Sequence, residues 1–265
     1  MNDTPLNLEN ITRAFTIFKN AQPFDHCIVD NFLKDETADK IVSEFLDYGS
    51  DRWLVYSNKL ENKKALNDWN AFPKYTYSLF SYLNSLEFIK FLSNVSGESL
   101  IADPGLHGGG WHCHGEGGNL NPHLDYSIHP KLGLQRVINI IIYISKELKP
   151  HHGGFLGLWS HNPEKNIPET LIKEIEPKFN RAVIFNTTQN SWHGMSKNLE
   201  VPPNIFRKSL AIYYLREPSL NADPRNKALY AARDNEANDI EIQELIRMRA
   251  NVFTAESVYK IKNSD

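Results

Sequence analysis

The sequence predicts a mainly β fold with flanking helices, and three observations carry that expectation. Between about residues 99 and 217, short runs of β-branched and aromatic residues recur, punctuated by Gly, Pro and Asn, a texture of antiparallel sandwiches and barrels. Before and after that region the apolar spacing is helical. One central run, RVINIIIYIS, is largely apolar on both faces, as expected of a strand whose outer side is covered by helices. The 265 residues are enough for one domain with a full core. We divide it into an N-terminal strand-and-helix support with a lid segment (1–98), a β core (99–217) and a C-terminal helical extension (218–265).

Taken in order, PFDHCIVDNF reads as a short strand. In KDETADKIVSEFLDYG, residues Ala38, Ile41, Val42, Phe45 and Leu46 follow helical spacing, with Asp35 as N-cap and Gly49 beyond the end. Residues 50–73 lack clear periodicity and read as a long connection that can include a hairpin. Connections of that length are often functional. We read Arg52 to Phe72 either as a substrate-selecting lid, for its Trp53, Tyr56, Lys59, Lys63, Lys64 and Trp69, or as a packed hairpin. Residues 74–95 predict one broken helix or two short ones. Strands are expected over 109–114, 120–126, 135–145, 154–160, 181–186 and 205–215. The tail from Pro224 to about Tyr259 returns to a helical pattern.

A formal net charge of −3 and the lack of a basic stripe offer nothing to nucleic acid. No run approaches eighteen apolar residues, so no membrane span is expected. Two cysteines, Cys27 and Cys113, are too few for a disulfide framework. With no basic segment leading into an apolar run at the N-terminus, the expectation is a cytoplasmic protein.

The chemistry concentrates in a few residues. In NLNPHLDYSIHP, His123 and Asp125 stand two apart, so in an extended chain both point the same way and can meet at one metal ion. HxD is short, and a surface pair in a loop would look the same. His193 follows the strand-like RAVIF. In IFRKSLAIYYL, Arg207, Ser209, Ala211 and Tyr213 share one face; an arginine inside a barrel needs an anion. In RVINIIIYIS, Val137, Asn139, Ile141 and Tyr143 share a face on which Asn139 and Tyr143 are the polar exceptions, and interior polar groups are given partners. The HGGGWHCH cluster, with His112 and His114, and the nearby His107 read as lining the approach to such a centre rather than as a separate zinc site. Trp111, Trp159 and Trp192 read as core or rim.

In order and rough spacing, HLD (His123, Asp125), GGFLGLW from Gly153, the His193 of SWHG, Arg207 of FRKSLAIYY and Tyr143 of RVINIIIYIS resemble the Fe(II)- and 2-oxoglutarate-dependent oxygenases, in their prolyl-4-hydroxylase-like branch. The resemblance covers about residues 99–216. It implies a double-stranded β-helix, or jelly-roll, core. It implies His123, Asp125 and His193 as Fe(II) ligands, the facial triad that leaves three positions open. It also implies 2-oxoglutarate and O2 as cosubstrates, with Arg207, Tyr143, Ser209 and Asn139 on the cosubstrate and ascorbate as a reductant the family can use. The implied activity is hydroxylation of an unactivated C–H bond of a small molecule or peptidyl residue, releasing succinate and CO2. The carboxylate of Asp125 stands against halogenation. Desaturation, epimerisation or cyclisation at the same site, or a cupin-like metal-binding sensor without turnover, are the alternatives; Arg207 and Tyr143 weigh against the sensor, which needs no cosubstrate clamp.

Overall fold

The computed structural model describes residues 4–250. A helix α1 (Leu8–Phe15) precedes strand β1 (His26–Val29) and helix α2 (Asp35–Glu44); a hairpin of β2 (Leu54–Ser57) and β3 (Glu61–Leu66) follows, then helices α3 (Lys74–Leu83) and α4 (Leu86–Ser96). The β core runs through β4 (Ile101–Ala102), β5 (Gly110–His114), β6 (Asn119–Leu120), β7 (His123–Leu124), β8 (Gln135–Tyr143), β9 (Leu156–Asn162), β10 (Ile167–Ile175), β11 (Arg181–Asn186), β12 (His193–Met195) and β13 (Arg207–Arg216). Strand β14 (Leu229–Tyr230) and helix α5 (Ile240–Ala250) complete the described chain.

The strands form two antiparallel sheets. The larger has the order β1-β11-β8-β13-β5-β3-β2, with β4 on β13 and β6 on β3; the smaller is β10-β9-β12-β7-β14. Together they make the jelly-roll core. In the larger sheet, Ile138, Ile140, Ile142, Leu210, Ile212 and Tyr214 share one buried cluster with Phe80 and Leu83 of α3 and Phe88 and Leu92 of α4. Each such side chain contributes about 1.5–3 kcal/mol by leaving water, so this helix-covered face anchors the sheet. Its other face brings Asn139, Arg207 and Ser209 to a cavity between the sheets, with Tyr143 buried beside Arg207.

Several expectations are corrected. Helix α2 starts after Lys34 and stops at Glu44, not near Gly49: Phe45 turns extended (ψ 127°) and packs on Trp53 and Trp111, with ring centroids 5.8 and 4.8 Å away. Tertiary aromatic packing overrides the helical spacing there. Residues 74–95 are two helices, because Ser85 caps α4 by accepting from the Phe88 N–H at 3.2 Å. Strand β10 was not expected: at the sheet edge it pairs only with β9 and is mostly exposed, so it lacks an apolar alternation. Within 120–126, only Leu120 and the pair His123–Leu124 fall in strands. The stretch from Pro224 to the start of α5 is not a continuous helix: it holds β14 and one 3-10 turn, Asp234–Glu236. The helical pattern beyond residue 250 lies outside the described residues.

The segment 52–72 divides. Strand β3 adds to the larger sheet through β5. Trp53 is buried beside Trp111 (6.1 Å), and Trp69 packs on Phe72, Tyr77 and Phe80. Lys59 pairs with Asp239 and Glu241, and Lys64 donates to the Tyr48 carbonyl at 2.6 Å. Tyr56 and Lys63 instead face the cavity.

Candidate metal and cosubstrate site

Between the sheets lies a cavity of about 320 Å³, lined by His123, Asp125, His193, Arg207, Ser209 and Asn139 together with His107, His112 and His114. His123 and His193 face each other across neighbouring strands of the smaller sheet, paired in register with ring centroids 4.3 Å apart. Asp125 follows directly on β7. The His123 Nε2 lies 3.9 Å from one Asp125 carboxylate oxygen and the His193 Nε2 3.7 Å from the other. One ligand atom from each of the three residues falls within 4.8 Å of the others, and all three side chains are buried. Gly194 makes this approach possible: a Cβ there would stand 2.6 Å from the Asn121 carbonyl oxygen.

Both imidazoles are set for ligation. The Nδ1 of His123 lies 2.9 Å from the Asn121 carbonyl, and that of His193 2.8 Å from the Ser191 carbonyl. A carbonyl only accepts, so Nδ1 carries the proton in each ring and Nε2 presents its lone pair to the cavity. Burial first, then the neighbouring His193, pushes His123 down to about 3, which keeps it neutral. Burial would raise the Asp125 carboxyl, but His193, Arg136, His123 and the Tyr213 hydroxyl outweigh it and hold it below its usual value. Two imidazole Nε2 atoms and an ionised carboxylate converging on one point fit a divalent transition metal.

The other end of the cavity is built from long strands. Arg207 and Ser209 on β13 sit beside Tyr143 on β8, Ser209 paired opposite Tyr143. The Arg207 Nε donates to the Gly154 carbonyl at 2.8 Å, and one terminal nitrogen lies 3.3 Å from the Tyr143 hydroxyl. Gly154 explains the paired glycines before β9: it adopts φ +72°, and a Cβ would meet the Arg207 Cδ at 3.0 Å. Arg207 is 5% exposed and makes no carboxylate pair among the described residues. Burying a guanidinium without an anion is costly, so the site is complementary to an incoming carboxylate. Asn139 sits nearer the metal end, its amide nitrogen 3.5 Å from Asp125.

Sequence reading missed Arg136. It is 1% exposed, lies between the rings of Tyr126 and Tyr213 (3.5 and 3.3 Å to the centroids), and brings Nη1 to 3.5 Å from Asp125. It also donates to the His107 carbonyl at 2.6 Å and to the Tyr126 hydroxyl. Strict alternation puts Arg136 on the face opposite Asn139. The pairing of β8 with β13 skips a residue, however: Ile138 stands opposite Tyr214 and Arg136 opposite Leu215. That bulge sends Val137 into the helix-covered core and turns Arg136 towards the cavity. The available signal was a charge beginning a nearly continuous apolar strand.

The expected tryptophans are structural: Trp111 and Trp192 are fully buried, and Trp192 donates to the His161 ring nitrogen at 3.0 Å. Among the described residues, no helix is long and apolar enough to cross a membrane.

A jelly roll that gathers two imidazoles, a carboxylate and a carboxylate-seeking arginine in one cavity has the architecture of a non-haem iron oxygenase. Residues 109–215 match the 2OG-Fe(II) oxygenase superfamily. Solved structures with the same fold include prolyl 4-hydroxylase from Phytophthora capsici (18% identity, 95% of this chain and 78% of that one, TM-score 0.54). A prolyl hydroxylase from Trichoplax adhaerens, in complex with a hypoxia inducible factor oxygen degradation domain peptide fragment, matches at 16% identity over 78% of this chain and 90% of that one, TM-score 0.53. Pseudomonas putida prolyl-4-hydroxylase matches at 13% identity over 78% of this chain and 100% of that one, TM-score 0.53. The likeness to prolyl hydroxylases is one of fold. No curated protein matches the sequence.

Proposed function

We propose that the chain is an Fe(II)- and 2-oxoglutarate-dependent dioxygenase that hydroxylates an unactivated C–H bond of a small molecule or a peptidyl residue, with release of succinate and CO2. The observation that carries this reading is the placement of Arg207, a buried cation without a carboxylate partner among the described residues, in the same cavity as His123, Asp125 and His193. A site that only holds a metal has no use for it. In this reading His123, Asp125 and His193 bind the iron, which when bound supplies the oxygen-activating redox chemistry that side chains lack.

The protein's own groups position and tune. Arg207 holds the distal carboxylate of 2-oxoglutarate through its planar fork, with the Tyr143 hydroxyl and Ser209 as additional donors. Asn139, 3.5 Å from Asp125, stands where it can serve the cosubstrate's metal-facing end. The two Nδ1–carbonyl hydrogen bonds fix both imidazole planes. The larger sheet and its covering helices close the back of the cavity, keeping bulk water from the reacting groups. Two buried, unpaired thiols agree with a cytoplasmic setting, and ascorbate would serve only to keep iron reduced.

The test is succinate formation from 2-oxoglutarate across a panel of metabolites and peptides, with mass spectrometry for a gain of one oxygen. Substrate-stimulated succinate together with an oxygenated product is the expected result. Metal binding with no turnover of 2-oxoglutarate would instead favour a sensor.

A further inference from the structure

We infer that the strap Asp223–Glu236 is a working part of the metal site, in which Arg225 and Arg233 act as positioning residues for the metal ligands through the main chain. The inference rests on the triad reading above. It concerns residues beyond the 109–215 stretch that matches the superfamily.

Apart from β14 in the strap itself, the smaller sheet gives the ligand-bearing strands only part of their support. Strands β7 and β12 contain two and three residues, and one ladder pair, His193 opposite His123, joins them; β12 is also paired along its length with β9, whereas β7 has only the two-residue β14 on its other side. Strands this short do not hold their own register, whereas a metal site needs its ligands fixed to within about 0.5 Å. The strap supplies the missing constraints at three points. Arg225 donates from Nη1 to the carbonyl of Asp125 at 2.7 Å and to that of Leu124 at 3.3 Å. Asp223 orients it through Nε at 3.0 Å, and the Arg225 carbonyl accepts from the N–H groups of Ser127 and Ile128. Tyr230 pairs with His123 on β14, its ring stacked on the imidazole at 5.2 Å, and the Ala231 N–H donates to the Pro122 carbonyl.

Arg233 serves the other strand. Its Nε and Nη2 donate to the Met195 carbonyl at 3.1 and 2.9 Å, two residues beyond His193, and its Nη1 pairs with Glu236 at 2.6 Å. Glu236 also accepts from the Asn121 side chain at 2.6 Å, and the Asn121 carbonyl is the group that fixes the His123 Nδ1. Each strand that carries a histidine is thus tied to the strap by an arginine, and each arginine is oriented by its own carboxylate. Charge-assisted bonds of this kind are short, directional and about twice as strong as neutral ones. A strap that merely covered apolar surface would not need guanidinium groups aimed at the carbonyls beside the ligands.

The experiment compares full-length wild type with Arg225→Met, Arg233→Met, Arg225→Lys, Arg233→Lys, His193→Ala and Arg216→Met. Arg216 is the control, an arginine paired with Glu98 at 2.8 Å and bonded to Gln135 away from the triad. Co(II) is the probe, read by its dissociation constant and visible absorption bands, with Tm measured on the metal-free proteins. Removing an outer-shell partner weakens metal binding by about 10–100-fold, and we expect that loss, with altered Co(II) bands, in both Met variants. The Lys variants should recover part of it, and Arg216→Met should lower Tm while leaving the Co(II) affinity unchanged. Wild-type affinity and bands in both Met variants would overturn the inference. If the Met variants do not fold, the Lys variants decide in the same way, since lysine cannot at once keep the carboxylate partner and reproduce the paired contacts of either guanidinium, Arg225 on two carbonyls and Arg233 with two nitrogens on one: reduced affinity supports the inference and wild-type affinity overturns it. Undiminished Co(II) binding by His193→Ala would overturn the triad reading itself, and is read separately from the strap variants.

Discussion

The two sheets reach the cavity by different means. The larger presents Asn139 and Arg207 from strands of nine and ten residues, with Tyr143 buried behind Arg207, and the ladders of these strands fix the direction of every side chain. The smaller presents His123 and His193 from strands of two and three residues, held by carbonyl contacts, by the pairing of β12 with β9 and by the strap. A long strand carries its own register, so a substitution there should remove one interaction and little else. A short strand borrows its register, so the metal end should respond to changes at a distance.

The largest effect is expected at the metal end. His193→Ala removes one of the three proposed ligands and leaves Asp125 with one fewer neighbouring imidazole. Metal affinity should fall by more than the ~100-fold that bounds outer-shell changes, measured by Co(II) or Mn(II) titration, and 2-oxoglutarate turnover should fall with it. At the cosubstrate end, Arg207→Ala should raise the 2-oxoglutarate requirement roughly ten- to a hundred-fold, the equivalent of about 1.5–3 kcal/mol for a charge-assisted contact. Metal affinity should be nearly unchanged. Arg207→Lys keeps the charge without the fork and should recover only part. A parallel loss of metal in Arg207→Ala would break the proposed independence of the two ends.

Acid should act through β5 of the larger sheet. Burial above all, then Lys63 and Arg207, pushes His112 down to about 3, and burial pushes His114 well below its ordinary value. In the unfolded chain both titrate near pH 6.5, so below that pH the unfolded state takes up protons that the folded state refuses. Stability is therefore full above about 6.5 and falls as the pH drops, by about 2 kcal/mol from His112 at pH 5, with His114 acting in the same direction. Urea unfolding at pH 7 and pH 5 should show this loss, and the double variant His112→Gln/His114→Gln should show less of it.

What could be read from the sequence follows the same division. Period-2 alternation placed Arg207, Ser209 and Tyr143 on the cavity face because their strands are long and regular. At the metal end it offered only the two-residue spacing of His123 and Asp125 and could not place His193, whose strand is too short to have a period; the ordered HxD and distal histidine of a known family marked that end instead. The supports were illegible for physical reasons. A one-residue bulge reverses the parity that would have pointed Arg136 the right way. Arg225 and Arg233 lie in a stretch rich in Ala, Arg and Glu, whose composition favours helix while its contacts hold it extended. The hairpin aromatics Trp53 and Trp69 pack into the core, as one of the two readings of that segment had it, while Tyr56 and Lys63 reach the cavity.

Arg136 sharpens the comparison, because it stands on a long strand yet serves the metal end. Arg136→Met should keep the side-chain volume between Tyr126 and Tyr213 while removing the charge 3.5 Å from Asp125. We expect metal affinity to drop towards the lower end of the ~10–100-fold range, with the 2-oxoglutarate requirement little altered once metal is saturating. The opposite pattern would place Arg136 with the cosubstrate.

The smallest effect is expected from Tyr143→Phe. The ring packs with Leu156, Leu158 and Phe185 and is fully buried, so phenylalanine keeps the apolar contacts and Tm should hardly move. Burial, only partly offset by Arg207, raises the Tyr143 hydroxyl, so it stays protonated and remains a donor to a carboxylate. Arg207 lies 3.3 Å from it, and a neutral hydroxyl adds about 0.5–1.5 kcal/mol at most. The 2-oxoglutarate requirement should therefore rise roughly two- to tenfold, well short of the Arg207→Ala effect, with metal affinity unchanged. In the double variant Arg207→Ala/Tyr143→Phe the two losses should fall short of their sum, because both groups serve one carboxylate. Strict additivity would mean that the hydroxyl and the guanidinium act on different groups, and that the long-strand end of the cavity is not a single clamp.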